Sequence, residues 1–186
     1  KVVWNHFEDL NAVPRPSKKE ERVIEFMKNF GESLGLPTEV DEVGNVLIKK
    51  PATAGMEDRE TVVIQGHIDM VHQKNNDTDF DFLTQGIESF IDGEWVKAKG
   101  TTLGADNGMG VAAAMAILSS NDMEHPAIEA LFTIDEETGM TGALNLKPNW
   151  LTGRIMLNMD TEEDNELTIG CAGGVDTSAY WTYEPQ

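Results

Sequence analysis

Apolar positions recur along this chain with two periods, one typical of helices and the other typical of strands. The first clear stretch has the helical period. Between residues 16 and 35 the apolar side chains recur at a spacing of three to four, which places four on one face: Val23, Met27, Phe30 and Leu34. Ser17 and Glu20 are three residues apart and predict a capping box. Gly35 is a suitable residue for the end of the helix. This segment is therefore expected to be an amphipathic packing helix.

Several later apolar runs are short and have the composition of strands. Residues 38–50 predict two extended runs joined at Gly44 and Asn45, and further strands are expected near 61–73, 127–134 and 154–160. An Ala-rich helix is expected after the glycines of 100–110, and a short helix near 140–146. Residues 73–93 have no sustained period and are expected to be irregular. Strands that alternate with helices predict an α/β fold with a mostly parallel sheet.

The segment TVVIQGHIDMVHQ, residues 61–73, places a histidine and an aspartate, His67 and Asp69, within a run that otherwise resembles a buried strand. Side chains alternate along a strand, so His67 and Asp69 are expected on one face. Burying an unpaired charge is costly. The pair is therefore expected to face a cleft, or to be neutralised by a strongly charged partner such as a metal ion.

The composition narrows the class of protein. A length of 186 residues and 40% hydrophobic content fit one folded core. The formal net charge of -19 argues against nucleic acid and anionic membranes as partners, and a field of this sign attracts divalent cations. A merely soluble acidic surface is the simpler explanation of most of this charge. A single cysteine, Cys171, allows no internal disulfide. The sequence shows no apolar stretch long enough to span a membrane, and its first residues do not resemble a signal peptide. A cytoplasmic protein is therefore expected.

Polar residues gather at the predicted ends of the apolar runs. They are the pair His67 and Asp69, then Asp106, then Glu136 and Glu137, and finally Asp160. Ligands bind at the carboxyl edge of open α/β sheets, and one imidazole with several carboxylates suits zinc or manganese. Each residue also has a simpler explanation: a helix N-cap for Asp106, a solvated turn for the glutamates, or an ordinary histidine. The shared location favours a metal site.

Five ordered motifs carry a resemblance to a known family: GHIDMV (66–71), GTTLGADNGMGVA (100–112), DEETGMTGA (135–143), LNMDTEE (157–163) and GCAGG (170–174). The chain resembles the aminoacyl-histidine dipeptidases, also called cytosol nonspecific dipeptidases or peptidase D. These are co-catalytic zinc peptidases related to aminoacylases and zinc carboxypeptidases. The resemblance covers essentially the whole chain.

The resemblance implies a three-layer αβα catalytic domain that holds two Zn²⁺ ions, with Mn²⁺ or Co²⁺ as possible substitutes. It assigns metal binding to four residues: His67 and Asp160 for one ion, Asp106 as the bridge, and Glu137 for the other. Glu136 is implied as the general base and Asp69 as the residue that orients the site. The peptide bond between Asp106 and Asn107 is expected to be cis.

The family chain is longer, so residues 1–186 are expected to be the N-terminal part of the catalytic domain. The lid or dimerisation domain, the C-terminal part of the catalytic domain and a further histidine ligand would then be absent. None of the other histidines, His6, His72 and His125, matches that ligand. The full-length protein is expected to be a homodimer that hydrolyses dipeptides of the Xaa-His type with broad specificity. The isolated piece is expected to have little activity and to leave apolar surface uncovered.

Two other functions remain open on the sequence. One is an amidohydrolase of N-acyl amino acids, or a carboxypeptidase, with the same fold and the same site residues. The other is an acidic metal-binding module without catalysis. Glu136 argues against the second, because metal binding alone needs no base beside the ligands.

Overall fold

The computed structural model describes residues 1–161, 165–170, 173–175 and 177–184. These residues contain five helices and seven strands, which are numbered here in chain order: α1 (Val2–Asn11), α2 (Glu21–Ser33), β1 (Thr38–Val40), β2 (Val46–Lys50), β3 (Val62–His67), β4 (Ser89–Asp92), β5 (Trp95–Ala98), α3 (Ala105–Ser119), β6 (Ile128–Thr133), α4 (Glu136–Gly139), α5 (Thr141–Leu144) and β7 (Ile155–Asn158).

The main sheet has the strand order β1-β2-β6-β3-β7. Strand β3 pairs in parallel with β6 and with β7, whereas β2 is antiparallel to both of its neighbours. All of these strands except β2 therefore run in one direction. Strands β4 and β5 form a separate antiparallel hairpin. The predicted α/β class with a mostly parallel sheet is confirmed.

The core lies between the sheet and the three long helices. Alternation within β2 points Val46 and Ile48 toward this core, whereas Leu47 faces the opposite side. The helices contribute their apolar faces, with the buried residues Leu10, Val23, Met27, Val111, Ala114, Met115 and Leu118. On the other face, Leu47, Val63 and Leu131 are covered by the segment that contains Leu146, Trp150 and Leu151. Strand β7 is half exposed along its length.

The first helices differ from the prediction in three respects. Helix α1 was not predicted, although it buries Phe7 and Leu10. Helix α2 begins at Glu21, and the predicted capping box is wrong. The Ser17 hydroxyl donates instead to the carboxylate of Asp69, so it serves a tertiary contact and not the helix end. Helix α2 ends at Ser33, and Gly35 follows it with a φ of 70°, as expected of a glycine stop.

The other elements lie close to their predicted positions. The two short extended runs form β1 and β2, and the Ala-rich run forms α3. Residues 73–93 are irregular only in part, because β4 begins at Ser89 and pairs with β5. Among the described residues, no helix is both long and apolar enough to cross a membrane.

Candidate metal centre

The structure brings the predicted donor residues together around the imidazole of His67. Its Nε2 atom lies 3.1 Å from Asp106 Oδ1, 3.8 Å from Asp160 Oδ2 and 3.9 Å from Glu136 Oε2. The imidazole is buried, with 1% of its side chain exposed, whereas 57% of the Asp106 side chain is exposed. The site is therefore open on the carboxylate side and closed behind the histidine.

The sheet topology explains this convergence. His67 is the last residue of β3, Asp160 follows β7, and Glu136 begins α4 just after β6. Since β3, β6 and β7 are parallel neighbours, their carboxyl ends meet at one edge. Asp106 reaches the same edge from the first turn of α3. The peptide bond that follows Asp106 is cis, as the resemblance implies.

Two sets of donors have the spacing of a metal site. His67, Asp106 and Glu137 form one set, and His67, Glu136 and Asp160 form the other. Within each set the donor atoms lie within 4.8 Å of one another. Imidazole nitrogen with carboxylate oxygen is a donor combination typical of zinc and manganese. The residues present therefore fit a divalent metal.

Asp69 holds the site from behind. It lies just beyond the end of β3, and its buried carboxylate is 3.2 Å from His67 Nδ1. The same carboxylate accepts hydrogen bonds from the backbone amides of Glu136 (3.0 Å) and Glu137 (3.3 Å), and from Ser17 Oγ (2.8 Å). Burial alone would raise the pKa of Asp69, but these hydrogen bonds and the imidazole hold it below its usual value. An anionic Asp69 favours a proton on Nδ1, so that Nε2 can face a metal.

Several carboxylates crowd this edge, and they change the pKa of one another and of His67. Burial, together with repulsion from neighbouring carboxylates, raises the pKa of Glu136, Glu137 and Asp160. Burial lowers the pKa of His67, but the contact with Asp69 and the other carboxylates outweighs it and raises that pKa to about 9. The metal-free site therefore attracts protons, which a metal ion would have to displace.

Asn107 fixes the position of Asp160. Its side-chain amide donates to Asp160 Oδ1 (3.2 Å) and to the backbone carbonyl of Met159 (3.1 Å). Asn107 is buried and packs so closely that a Cβ at Gly66 or Gly110 would lie 2.4 Å or 2.6 Å from its Oδ1. The supporting role of Asn107 was not evident in the sequence, because its partners are more than fifty residues away.

A third group of carboxylates lies behind the metal centre. Glu20, Asp69 and Asp135 are all buried and offer oxygens within 4.8 Å of one another. Burial, with repulsion from the other two carboxylates, raises the pKa of Glu20. Asp135 accepts hydrogen bonds from the hydroxyls of Thr138 and Thr141. None of this was evident in the sequence, which suggested a helix cap for Glu20.

The other three histidines lie away from this edge. His6 is 3.1 Å from Ser119 Oγ, and His72 stacks edge-on against Phe82. His125 Nδ1 lies 2.7 Å from the carbonyl of Pro126. Within the described residues, none of them joins a candidate metal group. Glu162 and Glu163 of the LNMDTEE motif, and Cys171 and Ala172 of the GCAGG motif, lie outside the described residues.

Comparison with known proteins agrees with this geometry. The chain is 51% identical over 174 residues to the cytosol non-specific dipeptidase of Escherichia coli K12, a match that covers 94% of the chain and 36% of that protein. It superposes on the crystal structure of aminoacylhistidine dipeptidase from Vibrio alginolyticus with a TM-score of 0.85 and 52% identity, covering 87% of the chain and 33% of that structure. The chain thus spans about a third of the length of these relatives.

A more distant structure supports the fold alone. The aminopeptidase PepT of Bacillus cereus is 24% identical and superposes with a TM-score of 0.74, over 87% of this chain and 43% of that one. The family model described as peptidase family M20/M25/M40 matches residues 63–173, which include His67, Asp106, Glu137 and Asp160. The motif resemblance is confirmed, and the chain belongs to peptidase family M20/M25/M40.

Proposed function

We propose that the complete protein is a metal-dependent dipeptidase of broad specificity that accepts Xaa-His dipeptides. One observation carries this proposal: an imidazole and four carboxylates from separate segments meet at the carboxyl edge of the sheet. The relatives that share half of its residues are named as dipeptidases. Amide hydrolysis needs a polarised carbonyl, an activated water and a proton carrier.

We assign the first two requirements to a pair of zinc ions. His67 and Asp160 would hold one ion, Glu137 the other, and Asp106 would bridge them, with Mn²⁺ or Co²⁺ as possible substitutes. When bound, such ions supply Lewis-acid polarisation of the scissile carbonyl and lower the pKa of water. Asp69 would keep the His67 ring in the required orientation through its contact with Nδ1.

Glu136 is assigned the role of proton carrier. Its side chain is about a third exposed, so it reaches the open side of the site, and its Oε2 lies 3.9 Å from His67 Nε2. Burial and nearby Asp160 raise its pKa, which brings a carboxylate closer to the range useful for general base catalysis. Glu136 would accept a proton from the attacking water and pass it to the nitrogen of the departing amine. Its neighbour Glu137 offers a donor close to those of Asp106 and His67, so we assign metal binding to Glu137 and proton transfer to Glu136.

The remainder of the function is proposed from the size of the relatives. We assign residues 1–186 to the N-terminal part of a catalytic domain, since the matched relatives are about three times as long. The rest of that domain, a lid or dimerisation domain and a further histidine ligand would lie in the complete protein, which would act as a cytoplasmic homodimer. The name of the Escherichia coli relative supports the cytoplasmic location.

The test compares Glu136→Gln with the wild type in the complete protein, with metal content measured in both. Loss of the base should lower kcat on an Xaa-His dipeptide by about 10²–10⁴-fold at equal metal content. Glu124→Gln, which changes an exposed glutamate, is the matched control and should retain full activity. Equal rates for Glu136→Gln and wild type at the uncatalysed level would instead support a metal-binding module, and equal rates above that level would refute the role of Glu136 as the base. Faster turnover of N-acyl amino acids or of longer peptides than of dipeptides would favour an amidohydrolase or a carboxypeptidase.

A further inference from the structure

A buried arginine lies beneath the metal centre. Arg15 has 1% of its surface exposed, and it is among the largest fully buried side chains of the described residues. One end of its guanidinium, Nη1, donates to the carbonyls of Ile68 (3.3 Å) and Asp69 (3.1 Å). The other end, Nη2, donates to the carbonyl of Gly104 at 2.6 Å. One planar group therefore joins two segments that are distant in the sequence.

These two segments carry the proposed metal ligands. Ile68 and Asp69 directly follow His67, and Gly104 precedes Asp106 by two residues. The carbonyl of Asp69 lies 3.2 Å from His67 Nδ1 as well, so Arg15 and the imidazole share one acceptor. A shift of the guanidinium would therefore move the segment that orients His67 relative to the segment that carries Asp106.

We propose that Arg15 is a positioning residue that sets the distance between His67 and Asp106, and through it the affinity of the metal centre. This inference rests on the proposed function, because it concerns the same donors. The planar guanidinium suits the role, since its donors diverge in a fixed fork. A lysine has three donors on a single atom and cannot reach both segments in the same way.

The charge and the packing around Arg15 agree with a fixed position. Burial lowers the pKa of Arg15 to about 10, although the carboxylates of Asp69, Asp106 and Glu137 act to raise it. The guanidinium is therefore still a cation at neutral pH. Its Nη2 atom would lie 2.5 Å from a Cβ at Gly104 and 2.7 Å from one at Gly108. These glycines flank Asp106, and they leave space for the guanidinium to approach the backbone.

Asn11, at the end of α1, braces the same contact. Its Oδ1 accepts a hydrogen bond from Arg15 Nη2 at 3.2 Å, and its Nδ2 donates to the carbonyl of Leu103 at 3.2 Å. Asn11 is itself buried. Removing its side chain would loosen Arg15 without removing the charge, which gives a second way to test the role.

The experiment measures metal binding in the complete protein for Arg15→Met, Arg15→Lys and Asn11→Ala. Arg59→Met is the control, because Arg59 is 66% exposed and pairs only with neighbouring Asp58 among the described residues. Zinc affinity is measured by competition with a chelator, and the visible spectrum of the Co²⁺ form reports ligand geometry. We expect Arg15→Met to weaken zinc binding by about 10–100-fold and to change the Co²⁺ spectrum. Arg15→Lys and Asn11→Ala should show smaller changes in the same direction, and the control none.

A purely structural role would lower the melting temperature of the chelated protein and leave zinc affinity and the Co²⁺ spectrum as in the wild type, and that result would overturn the inference. If Arg15→Met does not fold, Arg15→Lys and Asn11→Ala decide in the same way, because both keep most of the packing. Neither readout uses turnover. A wild type that binds zinc but cleaves no dipeptide would therefore refute the proposed function and leave the result for Arg15 standing.

Discussion

Replacing Asp69 with asparagine tests the support behind the metal centre with almost no change in shape. The carboxylate of Asp69 is fully buried and receives four contacts, two at each oxygen. Oδ1 faces His67 Nδ1 and the amide of Glu136, and Oδ2 faces Ser17 Oγ and the amide of Glu137. Asparagine has only one acceptor oxygen, so its NH₂ group must take one of these two places.

The hydrogen-bond partners decide whether the position of Oδ1 or that of Oδ2 is less costly for the NH₂ group. An NH₂ group in the position of Oδ2 can donate to the Ser17 hydroxyl, but it leaves the amide of Glu137 without an acceptor. An unpaired buried amide costs about 1–3 kcal/mol. The contact to His67 survives as a neutral hydrogen bond, which is roughly half as strong as one to a carboxylate. Supporting residues of this kind typically change metal affinity by about 10–100-fold.

Asp69→Asn should also lower the pKa of His67 from about 9, since Asp69 is the strongest influence that raises it. Histidine titration followed by NMR in the chelated protein measures this shift, and chelator competition measures zinc affinity. Asp58→Asn is the control, because 84% of the Asp58 side chain is exposed. If Asp69→Asn left both the pKa of His67 and the zinc affinity at wild-type values, the orienting role of Asp69 would be wrong.

Three further predictions concern Asn107, His67 and Glu129. Asn107→Asp should weaken zinc binding at least tenfold, because it replaces the amide that donates to Asp160 with a second carboxylate. A zinc affinity equal to that of the wild type would contradict this prediction. The raised pKa of His67 should stabilise the chelated protein fully below about pH 6.5, and this stabilisation should be lost as the pH rises through about 9. The expected fall in the free energy of unfolding is about 3 kcal/mol, and a free energy from urea unfolding that does not change over this pH range would refute the prediction. Glu129→Ala should lower the free energy of unfolding in urea by about 2–5 kcal/mol, because alanine leaves two amides, including that of Thr152, without an acceptor. Glu129→Gln keeps an acceptor and should cost much less, so equal losses for the two variants would contradict this prediction.

The sheet was predictable because burial selects apolar residues in its strands. Residues 128–133 are buried along their whole length, and the apolar composition of the segment follows from that. Helix α1 was missed because apolar residues outside its buried face obscure the helical period: Val2 and Trp4 are about half exposed, whereas Phe7 and Leu10 are buried. Strand β4 was missed because it is largely exposed in a two-stranded hairpin, where no core selects alternation.

The proposed ligands were evident in the sequence for a similar reason. Ionisable residues at the end of an apolar run conflict with their surroundings, and parallel neighbours bring such ends to one edge. The supporting residues show no conflict of this kind. Arg15 contacts Asp69 across 54 positions and Gly104 across 89, and such pairings leave no period in the sequence. Ser17 illustrates the difficulty, since its local spacing to Glu20 predicted a cap, although its hydroxyl donates to Asp69.

The charges around the site give a physical reason to expect a bound cation. Among the described residues, Asp106, Glu136 and Asp160 form ion pairs only with the single imidazole of His67 and none with a lysine or arginine side chain. Burial, together with repulsion between these carboxylates, raises the pKa of Glu136 and Asp160, so their negative charges are unfavourable without a nearby cation. Arg15 approaches from below, but its Nη1 and Nη2 donors are taken by carbonyls and by Asn11. The exposed side of these carboxylates therefore favours a positive charge from solution, and a divalent metal ion would supply it.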